Sequence, residues 1–196
     1  DVSGLSAQEI EQALDQAYAQ PLQQASATVF ASDEAAQQTD EAAAAQNQQD
    51  AALAEQMAVD EAMASKQAWQ TTGAELGASL DSGQLAQQAL AVGRSDGGVL
   101  ARMGAGLFGK RIQVDPSFDE GALEDFASGI DAAIGQARVD YDVKVSGGVA
   151  YVVQGNDGWE VNRQTLAGLL GDAMLGFSDG RIVAHTEYTP VRISSE

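Results

Sequence analysis

The chain has 196 residues, enough for one or two domains with a real core. Its 29 acidic residues against 10 basic ones give a formal net charge of -19, which argues against nucleic acid or an anionic membrane surface as partner, because both are held by clustered Lys and Arg. Cysteine is absent, which removes disulfides, thiolate zinc sites and cysteine nucleophiles, and no apolar run approaches the roughly 18 residues needed to span a bilayer.

Ser6 with Glu9 three positions on makes a capping box, and Ile10, Leu14, Ala17 and Tyr18 follow at helical spacing. Residues 6–19 therefore read as a helix that Pro21 ends or restarts. Ala27-Thr28-Val29-Phe30-Ala31 is β-branched and aromatic and reads as a strand. Residues 32–67 break the composition: almost entirely Ala, Gln, Asp and Glu, with no Gly or Pro. Leu53, Met57, Val59 and Met63 give them only a thin apolar stripe. Ala and Gln are strong helix formers, so the stretch predicts a solvated helix or helical hairpin, with a disordered low-complexity insert as the alternative.

Ala68-Trp69-Gln70-Thr71-Thr72 reads as a strand, 73–77 as a turn and 78–80 as a short extended piece. Asp81 caps a helix over 82–92 that Gly93 stops, and 95–98 form a linker. A short helix over 99–108, ended by Gly109, and a strand over 111–114 follow. Ser117 and Asp119 are both plausible caps for an amphipathic helix over 120–135, where Leu123, Phe126, Ile130 and Ile134 recur at helical spacing. Residues 141–145 and 149–154 pair as strands about a turn at Ser146-Gly147-Gly148. A turn at 156–158, a short strand over 159–161, and a helix over 163–175 capped by Asn162 come next. Strands over 181–186 and 191–193 close the chain, with Pro190 marking an edge or a bend.

The chain repeats itself. Gly77, Leu80, Asp81 and Leu85 align without a gap on Gly158, Val161, Asn162 and Leu166, so each copy is a glycine turn, an extended piece, an N-cap and a helix. The expected fold class is α+β: two tandem related units, each a small antiparallel sheet with helices packed on one face. The first unit spans 1–95, with the insertion at 32–67, and the second spans 96–196.

Few residues point to catalysis. His185, the only histidine, lies on an alternating strand and reads as a surface or edge residue; no Gly-x-Ser-x-Gly elbow accompanies it. Carboxylate pairs Glu124 with Asp125, Asp140 with Asp142, and Asp157 with Glu160 could in principle run glycoside hydrolysis, but an acidic chain produces such pairs by chance, and Asp140 and Asp142 read as solvated surface. Asn156-Asp157-Gly158 lacks the spacing of a calcium loop and is explained by a tight turn. Gly104–Lys110 ends in Gly-Lys without P-loop spacing. Trp69, Tyr151 and Trp159 are candidate sugar-stacking aromatics; Trp159 shares a strand face with Val161, which predicts burial. No catalytic residue, metal ligand or cofactor is expected, and these patterns single out no binding residue.

From Leu90 to Ile193 the chain resembles a known module. The residues that carry the likeness are Ala91-Val92-Gly93-Arg94, Phe108-Gly109, the run Gln154-Gly155-Asn156-Asp157-Gly158-Trp159-Glu160-Val161-Asn162, and the closing Pro190-Val191-Arg192-Ile193. This pattern is similar to the peptidoglycan-binding (YoaR-like) domain found ahead of VanW domains and of some L,D-transpeptidase domains. Val2-Ser3-Gly4-Leu5-Ser6 resembles the start of a preceding repeat. The resemblance implies a non-enzymatic, extracellular envelope module of Gram-positive bacteria with peptidoglycan or another envelope component as partner. It further implies an N-terminal membrane anchor outside these 196 residues. The alternative is a spacer or protein-interaction module, with 32–67 as a projecting arm.

Overall fold

The computed structural model describes residues 6–45, 51–94, 115–176 and 180–192. The first helix starts as Ser6 dictates: its hydroxyl accepts the Glu9 N–H, and the Glu9 carboxylate accepts the Ser6 N–H at 2.8 Å. Helix α1 (Ala7–Leu14) runs through a π-helical turn (Asp15–Ala19) into α2 (Gln20–Gln24). Pro21 thus restarts the helix. A proline ring collides with the carbonyl four residues back, and a widened π turn just before it relieves that collision. Ile10 and Leu22 anchor the two ends, both buried.

The central sheet is mixed. Strand β1 (Ser26–Phe30) pairs antiparallel with β2 (Ala68–Thr72) and parallel with β6 (Arg181–Val183). The expectation of purely antiparallel sheet fails at β1–β6. A parallel pair needs a long crossover, and the whole chain between Phe30 and Arg181 supplies it. Val29, Leu76, Ile130, Val161, Leu166 and Leu170 are buried in one core cluster. Apolar positions from either side of residue 95 therefore meet in an α+β fold.

Helices α5 (Ser82–Arg94), α6 (Glu120–Ile134) and α7 (Arg163–Met174) begin at the side chains that predicted them. Asp81 accepts the Gln84 N–H, Asp119 the Ala122 N–H and Asn162 the Thr165 N–H, at 2.8, 2.9 and 2.8 Å. Each cap contributes about 1 kcal/mol. Gly93 does not stop α5, which continues to Arg94; a glycine inside a last turn costs only about 1 kcal/mol. The linker over 95–98, the helix over 99–108 with Gly109, the strand over 111–114 and the boundary at 95–96 lie outside the described residues.

The insertion carries two helices, α3 (Asp33–Ala45) and α4 (Ala51–Ala64), packed on each other. The expected stripe of large side chains splits: Leu53 and Met57 are exposed, Val59 is buried and Met63 half-buried, and most of the buried face is alanine, Ala54, Ala58 and Ala62. Small side chains let the two helices come close. The insertion does not stand off the sheet as a projecting arm. Ala35 and Ala62 pack on Phe30 and Ala68, and Arg181 of β6 pairs with Asp40 and with Glu55.

Strands β3 (Asp142–Ser146) and β4 (Val149–Val153) form a ribbon turned by Gly147 and Gly148, both at positive φ. Only Val153 of the ribbon strands is even half-buried. Strands β5 (Gly158–Val161) and β7 (Thr186–Thr189) form a further antiparallel pair. The closing strand expected over 181–186 is split into β6 and β7. Ala184 N–H donates to Phe30 in the central sheet, while the His185 carbonyl accepts Asn162 N–H beside β5, so the chain passes between sheets there. Val191 and Arg192 are not in a strand: their N–H groups are taken by the carboxylates of Asp157 and Asp140, which stand in for a ladder. Ile193 lies outside the described residues.

Candidate functional site

The most developed surface feature is built on β5. A Cβ on Gly158 would lie 2.7 Å from the Arg138 backbone nitrogen, so only glycine lets the chain at 136–139 run alongside. Gln136 and Trp159 then exchange backbone hydrogen bonds at 2.8 Å each, as do Val139 and Asn156 at 3.0 and 2.8 Å. On the other edge, Trp159 stands opposite Tyr188 of β7. Gln136, Trp159 and Tyr188 thus form one row across three chain segments. The two rings meet edge to face, centroids 5.3 Å apart and planes at 63°. Such a pair contributes about 0.5–1.5 kcal/mol beyond area burial.

Trp159 is 40% exposed and Tyr188 55%, which overturns the expected burial of Trp159. Val161, two residues on, is 1% exposed, with its N–H held by Asp131 of α6. Helix α6 ends at Ile134, and Trp159 pairs with Gln136 just beyond it. The helical cover stops between the two side chains, so one strand face passes from core to solvent within two residues.

Polar groups fix this corner. The Asp157 carboxylate accepts the Val191 N–H at 2.8 Å, and that bond foremost, with the influence of the Tyr188 hydroxyl, holds its carboxyl below the usual carboxylate range. The same carboxylate pushes the Tyr188 phenol up, so the hydroxyl stays a donor. Gln136 and Asn156 both donate side-chain N–H bonds to the Asp157 carbonyl, at 3.0 and 3.2 Å. Behind the corner, Asp131 accepts from Val161 N–H and pairs with Arg163 at 2.7 Å, and Arg163 also binds Glu124 at 2.9 Å. Those carboxylates, Glu124 foremost, raise the guanidinium pKa, and Arg163 in turn lowers that of Glu124.

A second feature is a shallow groove of about 370 Å³ between β2 and α6, lined by Gln70, Thr71, Glu75, Leu76, Asp125 and Phe126. Glu75 is already engaged there, accepting from the Thr72 N–H at 2.8 Å and the Thr72 hydroxyl at 3.0 Å. Two other cavities, of about 330 and 410 Å³, are lined largely by the alanines and polar side chains of α3 and α4.

The candidate residues read from sequence fall as follows. His185 is exposed in the crossover between sheets. Glu124 turns to Arg163 while Asp125 lines the groove, so adjacent positions serve different neighbours. Asp140 is not simply solvated: it pairs with Arg138 at 2.9 Å and accepts the Arg192 N–H. Asp142 is exposed on β3, and Glu160 is exposed opposite Glu187. Trp69 is half-buried against the core, and Tyr151 is exposed on β4. Gly104–Lys110 lies outside the described residues. No group of three or more His, Asp or Glu among the described residues is arranged to hold a metal ion. No helix among them is long and apolar enough to cross a membrane. Tyr188 was missed; its place in the alternating Thr186-Glu187-Tyr188-Thr189 was the available signal.

Residues 69–182, more than half of the chain, match the model of a family described as "Putative peptidoglycan binding domain". The chain belongs to that family. The matched span begins in β2 and ends in β6, so it takes in the groove, α6, the ribbon, β5 and α7. Trp159 lies inside it and Tyr188 just beyond. Neither curated proteins nor solved structures give a match to the chain. Membership supports a wall-binding role.

Proposed function

We propose that this chain is a non-catalytic, extracellular module of the cell envelope that binds peptidoglycan and positions a neighbouring domain at the wall. Its membership of the peptidoglycan-binding family over residues 69–182 carries the reading. The carboxylates support the non-catalytic part: Glu124, Asp140 and Asp157 are each committed to a structural partner. The proposal includes the YoaR-like context, with a membrane anchor before the module and a VanW or L,D-transpeptidase domain as its neighbour, in a Gram-positive envelope. It also includes two related units, 1–95 and 96–196, supported by the matching caps at Asp81 and Asn162.

Co-sedimentation with intact sacculi at low and at physiological salt tests the reading. Saturable binding that survives salt is the expected result, because a chain of net charge -19 gains nothing from a polyanion and must hold the wall through uncharged contacts. Absence of binding at both salts would leave a spacer whose work is to position something else.

A further inference from the structure

We propose that the row Gln136–Trp159–Tyr188 is a glycan-binding subsite, taking the N-acetylated amino-sugar backbone of peptidoglycan rather than its peptide stems. The inference rests on the wall-binding reading and names where and what the module would bind.

Three observations carry it. The first is shape. Trp159 and Tyr188 are large rings left 40% and 55% exposed, with planes at 63°. Two rings at that angle make a corner: a pyranose can lay its apolar C–H face on one ring while the other bounds its side. Neighbouring chain segments in such a row lie about 4.8 Å apart, so the row is roughly 10 Å wide, about the reach of a disaccharide.

The second is rigidity. Trp159 and Tyr188 sit opposite each other on paired strands, and the Asp157 carboxylate, which raises the Tyr188 phenol's pKa, is itself held by the Val191 N–H. The rings are oriented before any ligand arrives, which reduces the ordering cost of binding.

The third is polarity. One Gln136 side-chain N–H is spent on the Asp157 carbonyl, and the amide oxygen accepts nothing from the described residues. Asp157, just before β5, adds a carboxylate two residues from Trp159. The rim therefore offers two acceptors, the Gln136 amide oxygen and the Asp157 carboxylate, beside the second Gln136 N–H. Sugar hydroxyls and the N–H of an N-acetyl group are donors that suit it. The carboxylates of peptide stems do not, and the net charge of -19 repels them further. An apolar platform with a few placed polar groups is the usual make-up of a small-ligand site.

The test measures binding of the purified 196-residue chain to intact sacculi, with chitohexaose and a free stem peptide as separate competitors. Trp159→Ala is expected to weaken sacculus binding by about tenfold or more, as loss of an aromatic anchor does. Trp159→Phe keeps a ring and is expected to stay within about threefold of wild type. Chitohexaose should displace the wild-type chain, and the stem peptide should not. Thermal unfolding of each variant checks folding; should Trp159→Ala be destabilised, Tyr188→Ala provides a second loss of ring. Wild-type binding that is undiminished in both ring-removing variants, or that only the stem peptide displaces, would overturn the glycan assignment while leaving wall binding intact. Failure of the wild-type chain to bind sacculi would overturn both.

Discussion

Two hairpins interrupt paired chain in this molecule, and they are held in different ways. The helical pair α3–α4 fills the gap between β1 and β2, buries an alanine face and is tied to β6 through Arg181. The ribbon β3–β4 extends the pairing of 136–139 with 156–159, and its strands are held by their own ladder with almost every residue exposed. The helices have the weaker apolar sequence and the better anchorage. Anchorage therefore comes from contact with the sheet, not from the size of the apolar side chains. Isolated helices of this length are marginal in water, and tertiary packing supplies most of their stability.

The largest effect should come where the helical pair meets the sheet. Phe30 is fully buried beneath Ala35 and Ala62, so Phe30→Ala is expected to cost about 3–5 kcal/mol in urea unfolding. A cost below about 1 kcal/mol would mean that the helices do not rest on Phe30. Asp131→Ala should come next, at about 2–3 kcal/mol, because it leaves the Val161 N–H and the Arg163 guanidinium without their shared partner. Ala58→Leu should overpack the helical interface and cost about 1–3 kcal/mol. Val145→Thr in the ribbon should stay within about 0.5 kcal/mol, since Val145 is 70% exposed. Equal costs at Ala58 and Val145 would erase the contrast between the hairpins.

The smallest expected effect is one of pH. Asp157 has its pKa lowered by Val191 and Tyr188, so it binds protons less readily folded than unfolded. Its stabilising contribution is complete above the unfolded value near 4 and disappears as pH falls through the folded value. Asp157→Asn should therefore flatten the acid limb of the stability profile below about pH 4. An unchanged acid limb in that variant would show that the bond from the Val191 N–H does not persist in solution.

Much of the fold was legible because it is written in local signals. Ser6, Asp81, Asp119 and Asn162 each announce a helix start through one side-chain oxygen, and Gly147-Gly148 announces a turn through its backbone freedom. What depended on distant partners was not legible. The parallel β1–β6 pair joins residues more than 150 positions apart. The split at Ala184-His185 arises because neighbouring backbone groups bond to different sheets. Trp159 looked like core because Val161 is core; the end of α6, which exposes it, is visible only when Gln136 is seen beside it. The candidate site lies where local pattern and tertiary cover part company.

The chain's two tryptophans offer the most direct test of wall binding at this corner. Trp69 is half-buried against the core and Trp159 is exposed on β5, so their indole N–H resonances report on separate places. In a ¹⁵N-labelled sample titrated with muramidase-released sacculus fragments, the account predicts a saturable shift of the Trp159 indole with Trp69 unmoved. A fixed Trp159 indole alongside shifts at Gln70, Thr71 and Phe126 would move the binding site to the groove beside β2 and contradict it.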